Sequence, residues 1–177
     1  SGDVVSERMK EVELSEPLLR GSDDRPLQFS MDWSAKDAEI SSLDYGKAKL
    51  GLTFERTEDG SRYNFAVHPT EGLAYGKMRE TITLKTTSAL APVRQFALSG
   101  YVAHPIELEK SVLTFGTLVP GEKKTAEAVF FSPYEQAIHV ESIVVDEGLP
   151  LEWELRADGT SRVLVTIAAT VPADAPS

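Results

Sequence analysis

The stretch Val112-Leu113-Thr114-Phe115-Gly116-Thr117-Leu118-Val119-Pro120-Gly121-Glu122 decides the fold, because the strand patterns on either side fall into register once it opens a β-sandwich domain. It joins an apolar pair, Phe-Gly, a second apolar pair and Pro-Gly-Glu, and an alternating strand follows. Glycine and proline favour turns and close backbone approach. We therefore predict an opening strand and a turn, and we assign Phe115, Gly116, Pro120 and Gly121 structural turn or core roles.

Short runs of alternating apolar and polar residues occupy most of the chain. The first places Leu27, Phe29, Met31 and Trp33 on one face, as a half-buried strand requires. Residues 34–46 are polar and allow at most one helical turn. Eleven or so short strands and no convincing amphipathic helix predict an all-β sandwich class. Further strands are predicted around 11–19, 50–54, 63–67, 78–86, 96–102, 106–108, 112–119, 123–131, 138–145, 151–155 and 163–167.

Two segments of the chain resemble later ones. Residues 26–31 are similar to residues 150–155, and Asp59-Gly60-Ser61-Arg62 is similar to the stretch from Asp158 to Arg162. Two tandem immunoglobulin-like β-sandwich domains are the simplest explanation. The first is predicted over 9–103, with a loop-plus-strand insertion near 34–57. The second, shorter or incomplete, is predicted over 104–172, and the boundary lies at His104-Pro105.

If the second of these matches is continued along the chain, Ser177 corresponds to Lys77, which precedes two predicted strands of the first domain. We therefore expect the sequence to start and end inside a longer tandem array. The alternative is a pair of independently evolved sandwiches whose likeness is coincidental.

The stretch from Val112 to Glu122, called the landmark below, resembles the start of Hydin-like and abnormal-spindle immunoglobulin-like domains, which belong with the major sperm protein fold. It also resembles the start of related bacterial domains of unknown function. The matching residues are Leu113, Phe115-Gly116, Leu118-Val119 and Gly121, with the strand that runs to Phe131. Residues 76–86 and 95–102 also resemble the closing hairpin of that family. The resemblance implies a non-catalytic module that mediates contacts inside larger proteins, with a protein or neighbouring repeats as the partner.

Composition excludes several classes of function. A formal net charge of -10 and a pI near 4.8 disfavour nucleic acid and anionic membrane surfaces, because both attract clustered Lys and Arg. No apolar run is long enough to cross a bilayer. The absence of cysteine excludes disulfides, thiolate metal sites and cysteine nucleophiles. It leaves the compartment unknown, and in a bacterium it slightly favours the periplasm or cell surface.

No residue pattern predicts catalysis, and we expect no enzyme, metal or cofactor. His68, His104 and His139 are far apart, and two of them precede proline at strand ends. Acidic loop residues could bind Ca²⁺, but the spacing of a calcium loop is absent. A solvated acidic surface is the favoured interpretation of these carboxylates, which are Asp23, Asp24, Asp44, Asp146, Glu147 and Asp174.

Aromatic residues support one alternative, a carbohydrate-binding or calcium-binding β-sandwich module. Trp33, Trp153 and the tyrosines could form a sugar-stacking face. Both tryptophans lie on the apolar phase of their strands, so we predict core packing for them. The favoured prediction remains a structural or protein-interaction module of a larger multidomain protein.

Overall fold

Eleven β-strands account for the regular structure in a computed structural model, which describes residues 9–21, 25–47, 49–110, 112–144 and 151–173. No helix occurs in those ranges, and so none that could cross a membrane. The chain divides after Ala103 into two compact units, unit 1 and unit 2. The strands are β1 (Lys10–Glu13), β2 (Leu27–Asp32), β3 (Ile40–Asp44), β4 (Leu50–Arg56), β5 (Arg62–Pro69), β6 (Gly76–Thr86), β7 (Val93–Val102), β8 (Glu107–Leu108), β9 (Lys123–Phe131), β10 (Leu151–Ala157) and β11 (Arg162–Thr170).

Unit 1 is a sandwich of two sheets. One sheet has the order β2-β5-β4, and the other has the order β1-β7-β6-β3. All neighbouring strands are antiparallel except β1, which lies parallel to β7. If β2 to β7 are equated with strands B to G, the sheets are B-E-D and C-F-G, which is the arrangement of an immunoglobulin-like fold.

Phe65 lies at the centre of the unit 1 core. Its ring stacks on Phe29 at 4.9 Å between centroids and meets the edge of Phe96 at 6.0 Å. Such ring pairs add about 0.5–1.5 kcal/mol to the burial of their apolar surface. The facing sheet contributes Ile82 and Leu98, both completely buried. Alternation along each strand therefore produces one continuous core between the two sheets.

Unit 2 contains one sheet, with the order β8-β9-β11-β10 and antiparallel pairing throughout. In the lettering used for unit 1 this is A-B-E-D. Its core face is built around Ala128, Val163 and Val165. Segments without strand structure cover these residues, and the covering side chains are Leu113, Ile138, Val140 and Ile143. The fold is therefore all-β throughout the described residues.

The hairpins β4–β5 and β10–β11 pair equivalent residues across their strands, but the connection in unit 2 is one residue shorter. Leu50 pairs with Pro69 and Leu151 with Ala169, so β10 follows β4 by 101 residues and β11 follows β5 by 100. Each turn contains a positive-φ glycine, Gly60 or Gly159. The structure thus matches residues 151–155 with β4, whereas the sequence analysis matched them with β2. The match of residues 26–31 with residues 150–155, on which the predicted insertion near 34–57 rests, is therefore an error of alignment.

Several predicted elements need correction. Residues 40–44 form β3, although the polar stretch 34–46 was predicted as a loop. The segment 34–57 is not an insertion, because β3 and β4 are members of the two sheets and their first residues, Ile40 and Leu50, are buried. Residues 112–119 and 138–144 form no strand, since no ladder partner lies beside them in the described residues. Residue 145 falls outside those ranges.

Candidate functional site

Trp153 lies on the core face of unit 2 but is 46% exposed. It pairs with Ile167 across β10 and β11, and Ile167 pairs with Ala126 across β11 and β9. These three residues form one row across the sheet, which we call the open row. The prediction that Trp153 packs in the core was therefore wrong, although its position on the apolar phase of the strand was read correctly.

The equivalent row of unit 1 is closed. It consists of Leu52, Val67 and Leu27, joined by the same cross-strand pairs. Leu52 is 9% exposed and Val67 is 0% exposed. Both belong to a core cluster that also contains Ile82, Leu84, Phe96 and Leu98 of β6 and β7. The second sheet therefore explains why Leu52 and Val67 are buried, while Leu27 is half-buried like its counterpart Ala126.

Burial in unit 2 decreases along the sheet towards the open row. In the neighbouring row, Val165 is buried beside Ala128, and Leu155 packs against this small core. Ile167 and Ala126 are only half-buried, and Trp153 is exposed. Exposure on this face is therefore centred on Trp153, since Ala169, the next residue of β11 on the same face beyond Ile167, is buried.

The face of β10 opposite the open row is acidic. Glu152 and Glu154 flank Trp153 in β10, and strand alternation places them on the opposite face of the sheet. Lys123 Nζ lies 2.6 Å from Glu152 Oε2, and this hydrogen bond lowers the pKa of the Glu152 carboxyl. From His104 to Ser177 the sequence contains twelve acidic and five basic residues. Unit 2 is therefore acidic, and the carboxylates beside Trp153 in β10 lie on the face that the open row does not share.

The landmark residues lie in turns or in half-buried positions. Phe115 is half-buried. Glu122 N donates to Val119 O at 3.0 Å, so Pro120 and Gly121 occupy the two central positions of a β-turn. Gly121 has φ of 81° and Gly116 has φ of 69°, values that L side chains rarely adopt. These positions shape the backbone and present no reactive group.

Trp33 is 7% exposed and belongs to the unit 1 core. Its indole Nε1 donates to Ala35 O and to Ala38 O, both at 2.8 Å, so its polar atom is satisfied within the fold. Its ring meets the edge of Tyr63 at 5.2 Å. A sugar could therefore not stack on Trp33 without opening the core.

The carboxyl of Asp59 has a lowered pKa, and it stabilises the turn between β4 and β5. Hydroxyls of Ser61 and Thr57 each donate to it at 2.6 Å, and Ser61 N donates at 3.1 Å. These bonds, that of the Ser61 hydroxyl first, stabilise the carboxylate and lower the pKa of Asp59 from 3.8 to about 2. This arrangement is that of a turn-stabilising residue.

The described residues contain no group of three or more His, Asp or Glu side chains that could hold a metal ion. Asp44 ends β3, while Asp23, Asp24, Asp146, Glu147 and Asp174 lie outside the described ranges. Two shallow grooves are present, one lined by Glu13–Glu16 and residues 26–29, the other by the turn around Asp59. Neither is lined by histidine, the most frequent general base.

No family model matches the chain, and no curated protein matches it. Solved structures that resemble it include mouse clustered protocadherin PcdhgC3 EC1-3 (13% identity, 94% of this chain and 55% of that chain, TM-score 0.37) and Dpr2 Ig1-Ig2 in complex with DIP-Theta Ig1-Ig3 (11%, 96% and 54%, 0.28). A third is the endo-fucoidan hydrolase MfFcnA9 (12%, 90% and 29%, 0.30). The chain thus spans about half the length of the first of these, and its immunoglobulin-like fold class rests on its own sheet topology.

Proposed function

We propose that this chain is a non-catalytic protein-interaction module of a larger multidomain protein, and that unit 2 makes the contact. The observation that carries the proposal is the exposure of Trp153 on a core face, where the matched residue of unit 1 is buried. Exposed aromatic residues beside apolar neighbours are frequent centres of protein interfaces. Tryptophan truncations at such positions commonly cost 2 kcal/mol or more of binding free energy.

Backbone groups beside the open row support the same proposal. β10, which carries Trp153, is an edge strand of its sheet within the described residues. Edges of this kind accept an added strand through main-chain hydrogen bonds, and side-chain pockets then give specificity. The module would therefore combine strand addition with burial of Trp153.

We further propose membership in the Hydin-like and abnormal-spindle group, on the residues of the landmark. Phe115-Gly116 and Pro120-Gly121 carry the resemblance, and the positive φ of both glycines gives a physical reason for glycine at those positions. In such a protein, neighbouring repeats in a tandem array are natural partners. The matched β4–β5 and β10–β11 hairpins support a tandem repeat of about 100 residues.

Carbohydrate binding is the second candidate function, and the exposure of Trp153 is the observation that favours it. A sugar-stacking face normally presents aromatic surface to solvent. Trp153 makes no ring contact within the described residues, so the site offers a single aromatic platform. Glycan-array binding that is lost in Trp153→Ala would support this candidate, and absence of binding would remove it.

A photo-crosslinking amino acid at position 153, in the cells that produce the protein, tests the interaction proposal. The control places the same amino acid at position 127, which lies on the opposite face of the sheet in the inner strand β9. We expect a discrete protein adduct from position 153 and little or none from position 127. Equal adduct patterns from both positions, or none from either, would contradict the proposal.

A further inference from the structure

The outer edge of β10 has backbone groups that point away from its own sheet. Asp158 N donates to Arg162 O at 3.0 Å, which makes these two residues a hydrogen-bonded pair at the end of the β10–β11 hairpin. Hydrogen-bonded and non-hydrogen-bonded pairs alternate along antiparallel strands. Trp153 and Leu155 therefore belong to non-hydrogen-bonded pairs, and their N–H and C=O groups point to the open edge.

The equivalent edge of unit 1, along β4, is capped within the unit. Leu52 has the same orientation as Trp153, because Thr57 N donates to Arg62 O at 2.9 Å and sets the same alternation. The N–H of Leu52 donates to the Tyr45 hydroxyl at 2.9 Å. Among the described residues, the N–H of Trp153 has no such acceptor. The edge of β10 is thus the one with donors left for another strand.

The larger set of strands in unit 1 shows what additional strands would cover in unit 2. The hairpin β6–β7 lies in the sheet β1-β7-β6-β3, whereas β4 ends the other sheet, β2-β5-β4. Strands equivalent to β6 and β7 would therefore face the sheet of unit 2 and would not pair with β10. The edge of β10 is accordingly available whether or not such strands are present.

The residues of β10 lack the features that usually protect an edge strand. Natural edges are guarded by lysine, proline, a bulge or a very short strand. β10 has seven residues, Leu151–Ala157, contains neither lysine nor proline, and pairs with β11 in unbroken register. By contrast, β3 has a register shift between Ile40 and Ser42, and β8 has two residues. β10 is therefore suited to main-chain pairing with another strand.

We infer, on the basis of the proposed function, that the partner of β10 is β10 of a second copy of this chain. The two strands pair antiparallel with Glu154 on the two-fold axis, so that the two unit 2 sheets become continuous. Trp153 then lies opposite Leu155 of the second copy, and Glu152 lies opposite its Arg156. Each contact occurs twice, because a two-fold interface is isologous.

The charges on the outer face of β10 favour this register. The residues there are Glu152, Glu154 and Arg156, all exposed. Opposite charges directly across a strand pair stabilise it, and like charges destabilise it. The register joins Glu152 to Arg156 twice and opposes Glu154 to its own copy once. A shift that puts Trp153 on the axis would oppose Glu152 to Glu154 twice, and the shift in the other direction would keep two Glu–Arg contacts but oppose Glu152 to Asp158 twice.

The inner face gains apolar contact from the same pairing. The open row continues into the row of Leu155, Val165 and Ala128 in the second copy, because these three residues are also joined across their strands. Val165 and Ala128 are buried, and Leu155 packs on the same small core. Trp153, which is 46% exposed, thus acquires an apolar neighbour without any change in its own sheet.

Disulfide trapping tests the pairing, since the chain contains no cysteine of its own. Glu154→Cys places one thiol of each copy at the axis, in a non-hydrogen-bonded pair whose Cα atoms lie about 4.5 Å apart, a distance that a disulfide spans. The matched control is Glu127→Cys, exposed on the same face but in the inner strand β9. Under mild oxidation, we expect Glu154→Cys to form covalent dimer at least about tenfold faster than the control, because pairing raises the local thiol concentration. Equal rates would overturn the inference.

Charge variants test the register and leave Trp153 and Glu154 unchanged. Arg156→Glu gives the homodimer like charges at both pairs, and so does Glu152→Arg, which also loses the exposed ion pair with Lys123. Each should raise the dissociation constant of the dimer at least about tenfold in sedimentation equilibrium. An equimolar mixture of the two variants restores opposite charges at both pairs, so we expect heterodimers within about threefold of the unchanged dimer. Failure of the mixture to recover would overturn the inference.

Two outcomes separate self-pairing of β10 from the proposed function. If trapping fails while the photo-crosslinker at position 153 still captures a different protein at a defined mass, β10 does not pair with itself and the interaction function stands. If trapping and crosslinking both fail, the self-pairing and the interaction function fall together. A crosslinked adduct at twice the mass of the chain supports both.

Discussion

Units 1 and 2 contain the same β-hairpin in different surroundings. β4–β5 and β10–β11 pair equivalent residues, yet Leu52 is buried and Trp153 at the matched position is exposed. Unit 1 faces its hairpin with a second sheet, and unit 2 covers its sheet with segments that lack strand structure. Local sequence therefore determines the hairpin, but the burial of its apolar face depends on residues far away in the chain.

The centre of each core should give the largest difference. Phe65→Ala in unit 1 should lower the free energy of unfolding by about 3–5 kcal/mol, since it removes a buried ring at the centre of an aromatic cluster. Val165→Ala, at the matched position of unit 2, should cost about 1–2 kcal/mol. Urea unfolding followed residue by residue by NMR separates the two units. Equal losses would show that the two cores are equally well packed.

The open row offers the next comparison. Leu52→Ala should destabilise unit 1 by about 2–5 kcal/mol, because it leaves a cavity between two sheets. Trp153→Ala should destabilise unit 2 by about 1 kcal/mol or less, because much of the indole already contacts solvent. The same unfolding experiment measures both. A loss above about 3 kcal/mol for Trp153→Ala would mean that this side chain is a core residue.

The turn at Pro120 and Gly121 in unit 2 tests how much stability depends on backbone conformation. Gly121→Ala should cost about 1–2 kcal/mol, because alanine is strained at the positive φ of this position. Pro120→Ala should cost only about 0.5 kcal/mol, mainly through greater freedom of the unfolded chain. Thermal unfolding of both variants is the measurement. A neutral Gly121→Ala would show that the turn does not require glycine.

The smallest effect concerns the turn of unit 1. The folded pKa of Asp59, about 2, lies below its ordinary value of 3.8, so the ionised carboxylate stabilises the folded state. That contribution is present above about pH 3.8 and is lost as the pH falls through 2. Asp59→Asn should therefore flatten the acid limb of the stability curve of unit 1. Identical acid limbs for the variant and the unchanged protein would exclude this role.

The alternating segments predicted most strands of the sandwich, because period-2 patterns and Asp-Gly turns are local signals. β3 was missed because its stretch is polar and contains only two large apolar residues, Ile40 and Leu43. Its strand structure comes from pairing with β6, which the local pattern does not show. The strands predicted at 112–119 and 138–144 did not form ladders, because ladders need a partner strand. Local pattern cannot supply that partner.

Trp153 could not be placed from its own strand. The prediction that Trp153 lies on the apolar side of its strand is correct. Whether that side is buried depends on the layer that packs against the sheet. One signal was present: β9 offers Ala126 and Ala128 where β2 of unit 1 has Leu27 and Phe29. Small residues on a core face indicate a thinner core, and the comparison requires the correct alignment of the two hairpins.

The two indole N–H groups of the unchanged protein provide the most direct test of the open row. A soluble paramagnetic relaxation agent should broaden the signal of Trp153 strongly and leave that of buried Trp33 nearly unaffected, with assignments taken from Trp153→Phe. We expect this contrast at protein concentrations at which the chain does not self-associate. Equal protection of both indoles would contradict it, because Trp153 would then be covered and unit 2 would present no open core face.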